Sequence, residues 1–476
     1  MGTEIASTHF ADEDYQTFRE RLRKETATLK SWFDNRAFDY SDELTVGLEL
    51  EAWLVDENAL PAPVNDAFLK AAGHDDIVEE LAAFNIEINA PPMLMGETVF
   101  SDTEAALADV WSVCGRTGDT IGIRCAMMGI LPTVRDEMLQ LTWMSDANRY
   151  EALNRELMHR RRQEPIHIAI AGQDELNYRC DHIMLEAGCT SLQAHLKINQ
   201  EDSVRFYNAG VLAAAPLVAA TANSPFLYGK SLWCETRIPA FEQATAVDGF
   251  RDKSGCNVRR VTLGTGYLRH SFLELFTENL SFPVLLPALH EDTDRLPHLK
   301  LQNGTVWRWV RPILGFDGQG TPHLRIEHRV MPAGPTLTDT IANLALCHGL
   351  MLALARSDHP PEEETPFEDA QANFYACAKD GLDARVRWCG RDMNVQSLLV
   401  EKLIPKARAA LIDEGVSEAD VRRYIDQIMM PRVRSGRTGA AWQRSYMECN
   451  TPNFQAFTER YLMLQETNAP VHTWEV

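Results

Sequence analysis

The chain lacks most of the short signatures that assign a function quickly. Its ten cysteines contain no Cys-x-x-Cys pair and follow no regular spacing. That excludes a zinc ribbon and offers no framework for a disulfide-stapled scaffold, so free thiols in a reducing compartment fit best. No Gly-x-Ser-x-Gly occurs, and no cysteine is marked as a nucleophile by its neighbours, so a hydrolase gains no support. The Walker phosphate-loop pattern is missing as well. Positive charge is scarce, with 46 Lys and Arg against 68 Asp and Glu for a net charge of −22. Such a balance disfavours nucleic acid or an anionic membrane as partner, and leaves room only for a local basic pocket. No uninterrupted apolar run is long enough to span a bilayer, although Ala209 to Ala222 is strongly apolar over a shorter stretch. Met1 to Lys30 is polar and charged, without the apolar centre of a signal peptide. The expectation is a soluble cytoplasmic protein.

What the chain does have is enough apolar material, 45% of 476 residues, to bury a large core. Periodicity predicts a helix over Tyr15 to Asn35 and a strand over Leu44 to Val55. A second strand, Ala83 to Asn89, is expected to stop at Pro91-Pro92. A helix over Thr103 to Thr117 follows, then an apolar strand over Ile121 to Ile130 and a helix around Asn148 to Arg162. Cys189 to Ile198 alternates like a strand and Val211 to Ala222 reads as an apolar helix. His323 to Val330 is again strand-like, with a helix over Thr338 to Ala355 behind it. The stretch 356–367, rich in Pro and Glu, reads as a linker between a region 1–355 and a helical region 368–476. In that tail, helices are expected over Val395 to Glu414, Ser417 to Met430 and Asn453 to Gln465, the second opening on a Ser417-x-x-Asp420 capping pattern. Strands and helices intermix without strict βαβ alternation, which favours an α+β fold with an antiparallel or mixed sheet and helices on one side.

The chemistry sits on the strands. In Gly47-Leu48-Glu49-Leu50-Glu51, just after the polar turn Asp42-Glu43, period two puts both glutamates on one face. A like-charged pair of this kind, if buried, survives only where protons, cations or metal offset it. Glu87 and Asn89, Gln193 and His195, and Glu327 and Arg329 repeat the pattern on other strands. Alone, each pair is explained by a solvated or satisfied strand face. Together they form an oxygen-rich set suited to magnesium or manganese. A metal-phosphate site also needs arginines, whose planar fork matches phosphate oxygens, and the candidates are Arg237, Arg311, Arg329 and the run Arg432 to Arg437. Ser435-Gly436-Arg437-Thr438-Gly439 is a glycine-bearing loop that could approach a phosphate, though weakly marked.

Taken in order, Gly47-Leu48-Glu49-Leu50-Glu51, Ile86-Glu87-Ile88-Asn89, Arg149-Tyr150, Thr190 to His195, Asn223-Ser224-Pro225 and Ile326-Glu327-His328-Arg329 resemble the glutamate-cysteine ligases of the second type, the carboxylate-amine ligase family. The resemblance implies the curved antiparallel sheet of glutamine synthetase. It also implies ATP-dependent ligation through an acyl phosphate: Glu49, Glu51, Glu87, Gln193 and Glu327 as magnesium ligands, His195 beside them, and Arg237, Arg311 and Arg329 on the transferring phosphate. The implied substrates are ATP, glutamate and an amine such as cysteine, and homo-oligomerisation is left open. Gln193 stands where many relatives carry histidine, and beyond Lys379 the likeness fades. Other readings are a different acid and amine, a phosphotransferase like the guanidino kinases, and a nucleotide- or metal-binding relative without turnover.

Overall fold

Alternation of polar and apolar residues builds the centre of the molecule, a curved seven-stranded sheet in a computed structural model that describes residues 4–39, 41, 43–247, 249–251, 255 and 257–476. Asp42, expected in the turn before the first strand, and Cys256 lie outside the described residues. The strands are β1 (Thr45–Val55), β2 (Ile77–Glu79), β3 (Asn85–Leu94), β4 (Arg124–Ala126), β5 (Ser191–Ile198), β6 (Val310–Phe316) and β7 (Pro322–Pro332). They lie in the order β6-β7-β5-β1-β3-β2, all antiparallel, with β4 paired to the last three residues of β1.

Helices α1 (Asp12–Asp34), α2 (Val99–Ile121), α3 (Ser203–Thr221) and α4 (Leu337–Ala355) surround this sheet. By length and composition α3 and α4 could cross a membrane, yet nearly all of each is buried inside the protein, packed against the other. Together they cover the face carrying His328, whose Nε2 lies 3.1 Å from the Gly210 carbonyl of α3. Close approach is the reason for glycine there: a methyl group at Gly210 would sit 3.2 Å from Val310 Cγ1. Because side chains alternate, covering His328 turns Glu327 and Arg329 to the opposite face.

Two strand expectations need correction. β3 does not stop at Pro91-Pro92 but continues to Leu94, pairing Met93 with Val46 and Leu94 with Thr45. The ladder shifts register between Val46 and Leu48, and β2 covers only Ile86 to Ile88 on the other side, so the prolines fall at a bulge on an open edge where a missing N–H costs little. The expected strand over Ile121 to Ile130 shrinks to Arg124–Ala126, because α2 runs on to Ile121 and ends at the left-handed Gly122, φ 74°.

The stretch 356–367 contains one helical turn, Pro361–Glu364, held to α3 by Arg205, whose Nη1 donates to Glu362 Oε1 at 2.7 Å. Beyond it lie the helix Phe367–Asp380 and a hairpin, Arg385–Trp388 with Arg391–Asn394, which the sequence pattern did not reveal. Ser417 caps its helix as its spacing predicts, its hydroxyl accepting from the Asp420 N–H. The Asp420 carboxylate reaches instead to Phe100 and Ser101 and caps α2, 3.0 Å from each N–H. Arg432, one of the candidate phosphate arginines, is instead fully buried on Asp339 of α4. Gly439 serves docking: a Cβ there would lie 2.1 Å from Asn223 Oδ1, and Gln443 Nε2 donates to that oxygen at 2.8 Å. One continuous apolar cluster runs from Ile5 to Trp474.

Candidate active site

Register brings the strand pairs together. Glu49 stands opposite Asn89 on one side and Gln193 on the other, Glu51 opposite Glu87, Glu327 opposite His195, and Arg311 opposite Glu327. Directly paired residues share a face, so every one of these side chains lies on the concave side away from α3 and α4.

The set divides into two groups. Glu49, His195 and Glu327 place ligand atoms within 4.8 Å of one another, with His195 Nε2 3.3 Å from Glu49 Oε1 and 4.0 Å from Glu327 Oε1. Arg311 grips Glu327 with both arms of its fork, at 2.6 and 2.9 Å, and Arg329 adds a contact at 3.2 Å. Burial would push Glu327 up, but Arg311 and Arg329 hold it well below the usual carboxylate range. Burial acts on Glu49 likewise, and His195 brings it down to about 2. Both carboxyls of this group are ionised.

The second group is Glu51, Glu80 and Glu87, again with ligand atoms within 4.8 Å. Burial and the Glu87 charge push Glu51 up to about 7, and burial and the Glu51 charge push Glu80 to about 8. Glu87, buried beside Glu49 and Glu80, rises well above the carboxylate range. These carboxyls hold protons that a cation would displace.

Between the groups sits Gln193. Its Nε2 donates to Glu51 Oε1 at 3.0 Å, and its carbonyl oxygen accepts from Arg329 Nη1. Arg237 opens the helix Arg237–Ala244; its Nε donates to Glu235 at 3.1 Å, its Nη2 to the Val330 carbonyl at 2.5 Å, and its guanidinium lies 5.4 Å from the Trp309 ring centroid.

Two cavities meet at these residues. One, of about 490 Å³, borders Glu49, Glu327, Arg311, Arg325 and Lys300 and has apolar walls that include Leu301 and Leu314. The other is a small chamber bordered by Glu51, Glu80, Glu186, Arg237, Arg329 and Trp309. Glu80 and Glu186 were not singled out from the sequence. Glu80 lies in the link between β2 and β3, and Glu186 in the one-turn helix Glu186–Gly188, so neither shares the strand alternation that marks the others.

The donor set fits a hard divalent cation. Glu49 Oε2, Glu80 Oε1 and His195 Nδ1 are shielded from solvent with no hydrogen-bond partner, a costly state that metal coordination would resolve.

Comparison with known proteins agrees with this geometry. The pattern of glutamate-cysteine ligase family 2 matches residues 45–460, running well past Lys379. No curated protein sequence matches the chain significantly. Among solved structures, the glutamate-cysteine ligase (gshA) of Francisella tularensis in complex with AMP is similar at 10% identity and TM-score 0.57, covering 92% of this chain and 91% of that one. A bifunctional glutathione synthetase from Pasteurella multocida is similar at 11% identity and TM-score 0.52, covering 89% of this chain and 53% of that one. At such identities the likeness shows a shared fold alone, a curved antiparallel sheet with helices around it.

Proposed function

The chain belongs to glutamate-cysteine ligase family 2, a family of ATP-dependent carboxylate-amine ligases, and from that premise we propose that it activates the γ-carboxylate of glutamate and joins it to an amino acid, cysteine being the default acceptor. One observation carries the reading. Two carboxylate-rich groups lie side by side on a single sheet face, with Arg311 and Arg329 set on the carboxylate of one of them.

Glu49, His195 and Glu327 would hold one ion, and Glu51, Glu80 and Glu87 another. Magnesium or manganese supplies positive charge that offsets the polyphosphate and orients its oxygens. Gln193 acts as a bridge that fixes Arg329 against Glu51. The larger cavity suits a nucleotide by size and lining, with Lys300, Arg311 and Arg325 for phosphates and Leu301 and Leu314 for the base. The Francisella ligase, solved in complex with AMP, supports nucleotide use by this chain. Acid and acceptor then meet in the larger cavity where it adjoins Glu80 and Glu186, the small chamber beyond them having room for about one water.

The carboxylate attacks the γ-phosphorus, ADP leaves, and the acyl phosphate is attacked by the amine to give an amide and phosphate. Arg329 and Arg311 stabilise the transferring phosphoryl group by position and charge. No covalent enzyme intermediate is required.

The test incubates purified protein with ATP, magnesium, glutamate and a panel of amines, following ADP and product mass. An amide formed with stoichiometric phosphate is expected. A stable phosphorylated amine would replace ligation with a kinase activity, and no ADP across the panel would sink the enzymatic reading.

A further inference from the structure

Glu186 belongs to neither metal-ligand group, yet it borders both cavities. Its backbone is fixed. Glu186 N–H donates to the Ile183 carbonyl at 2.8 Å, Cys189 N–H donates to the Glu186 carbonyl at 2.9 Å, and Asn85 Nδ2 donates to the Ala187 carbonyl at 2.5 Å. Held in this turn, its Oε2 is shielded from solvent and has no hydrogen-bond partner. A positioned, partnerless carboxylate oxygen is costly unless something arrives to meet it.

Ligation supplies that visitor. An amino group reaches the enzyme as an ammonium ion, which has no lone pair, so one proton must leave before nitrogen can attack. The chamber is rich in carboxylates, but Glu51 and Glu80 belong to the second metal-ligand group. We infer that Glu186 is the general base that deprotonates the acceptor ammonium; this rests on the ligase reading given above. The Glu186 carboxylate takes one proton from the ammonium. The neutral nitrogen then forms the C–N bond at the acyl carbon while the acyl C–O bond to phosphate breaks, and the departing phosphate takes the bonding pair and the second nitrogen proton. Glu186 later returns its proton to solvent.

The experiment compares two nucleophiles in the parent and in Glu186→Gln, with ATP, magnesium and glutamate present. Hydroxylamine is already unprotonated at neutral pH and intercepts an acyl phosphate without a base, whereas the best amino-acid acceptor of the panel needs one. Glu186→Gln is expected to lower amide formation about 100-fold or more while hydroxamate formation stays near the parent rate. Glu186→Asp should recover part of the amide activity. Parallel loss of both products, or amide formation close to the parent rate, would overturn the assignment. A parent protein that forms neither product overturns the ligase reading itself, a result visible before any substitution is made.

Discussion

Glu51 and Glu87 stand directly opposite each other across the β1–β3 ladder, two buried carboxyls of like charge in one cross-strand pair. Such a pair destabilises a sheet when both members are ionised. Burial and the Glu87 charge raise Glu51 to about 7, while burial and the charges of Glu49 and Glu80 raise Glu87 well above the carboxylate range.

Divalent cations should therefore bind in exchange for protons. Below pH 7 the Glu51, Glu80 and Glu87 group is largely protonated, and affinity is expected to rise as pH increases through about 7 to 8. Calorimetry in buffers of different ionisation enthalpy should report proton release on manganese binding. Binding that is independent of pH between 6 and 8 would contradict the assignment.

The same sign governs stability. A carboxyl raised in the folded state contributes stability that is complete below the unfolded value, near 4.3, and is lost as pH rises through the folded value. Without metal, the protein should melt at lower temperature at pH 8 than at pH 5.5. Glu51→Gln should narrow that gap while abolishing turnover, and a metal-free melting temperature that does not fall with pH would argue against it.

Glu49 and Glu327 should separate when each is changed to glutamine. Glu49 contacts His195, whereas Glu327 anchors Arg311 and Arg329. Both substitutions should lower kcat by more than the ~10–100-fold typical of groups behind metal ligands. Only Glu327→Gln should also lower the melting temperature clearly, because it leaves two buried guanidinium groups without their counter-charge. Equal thermal effects would show that the arginines do not depend on Glu327.

Legibility followed periodicity. Glu49, Glu51, Glu87, His195 and Glu327 were legible because strand alternation fixes a face before pairing partners are known, and their register then places them together. Glu80 and Glu186 were not, since a link and a single helical turn impose no period. The course of β3 through Pro91-Pro92 depended on having an open edge beside it, which is a property of the sheet and not of the strand. Arg432 stood among the candidate phosphate arginines because a basic run gives no sign of its partners, Asp339 and Asn343, which lie some ninety residues earlier.

That pairing makes its own prediction. Arg432 Nη2 meets Asp339 Oδ1 at 2.6 Å with both side chains buried, tying the C-terminal helices to α4. Arg432→Met should destabilise by about 3–5 kcal/mol, because the Asp339 charge stays buried without its partner. Adding Asp339→Asn removes that charge while keeping acceptors for the Val471 and Thr336 donors, so the double variant should unfold at higher denaturant than Arg432→Met alone. Strictly additive losses would mean the pair contributes no coupling.

Glu242 offers a switchable test away from the metal ligands. Burial raises its carboxyl, the hydrogen bonds from Trp309 Nε1 at 2.8 Å and Tyr375 Oη at 2.9 Å lower it, and the balance lies at about 7. The folded state thus favours the protonated form. Its stabilising contribution is complete below about pH 4.3 and declines, by at most about 1.4 kcal/mol per pH unit, until pH passes 7. Glutamine keeps a carbonyl oxygen for both donors and carries no charge. Glu242→Gln should accordingly melt close to the parent near pH 5 and above it at pH 8.5. Because Trp309 forms a wall of the small chamber, a parallel measurement of kcat/KM at the two pH values should move little if the Trp309 hydrogen bond is retained. Equal melting temperatures at pH 8.5 would show that Glu242 ionises without cost and that its surroundings relax around the charge.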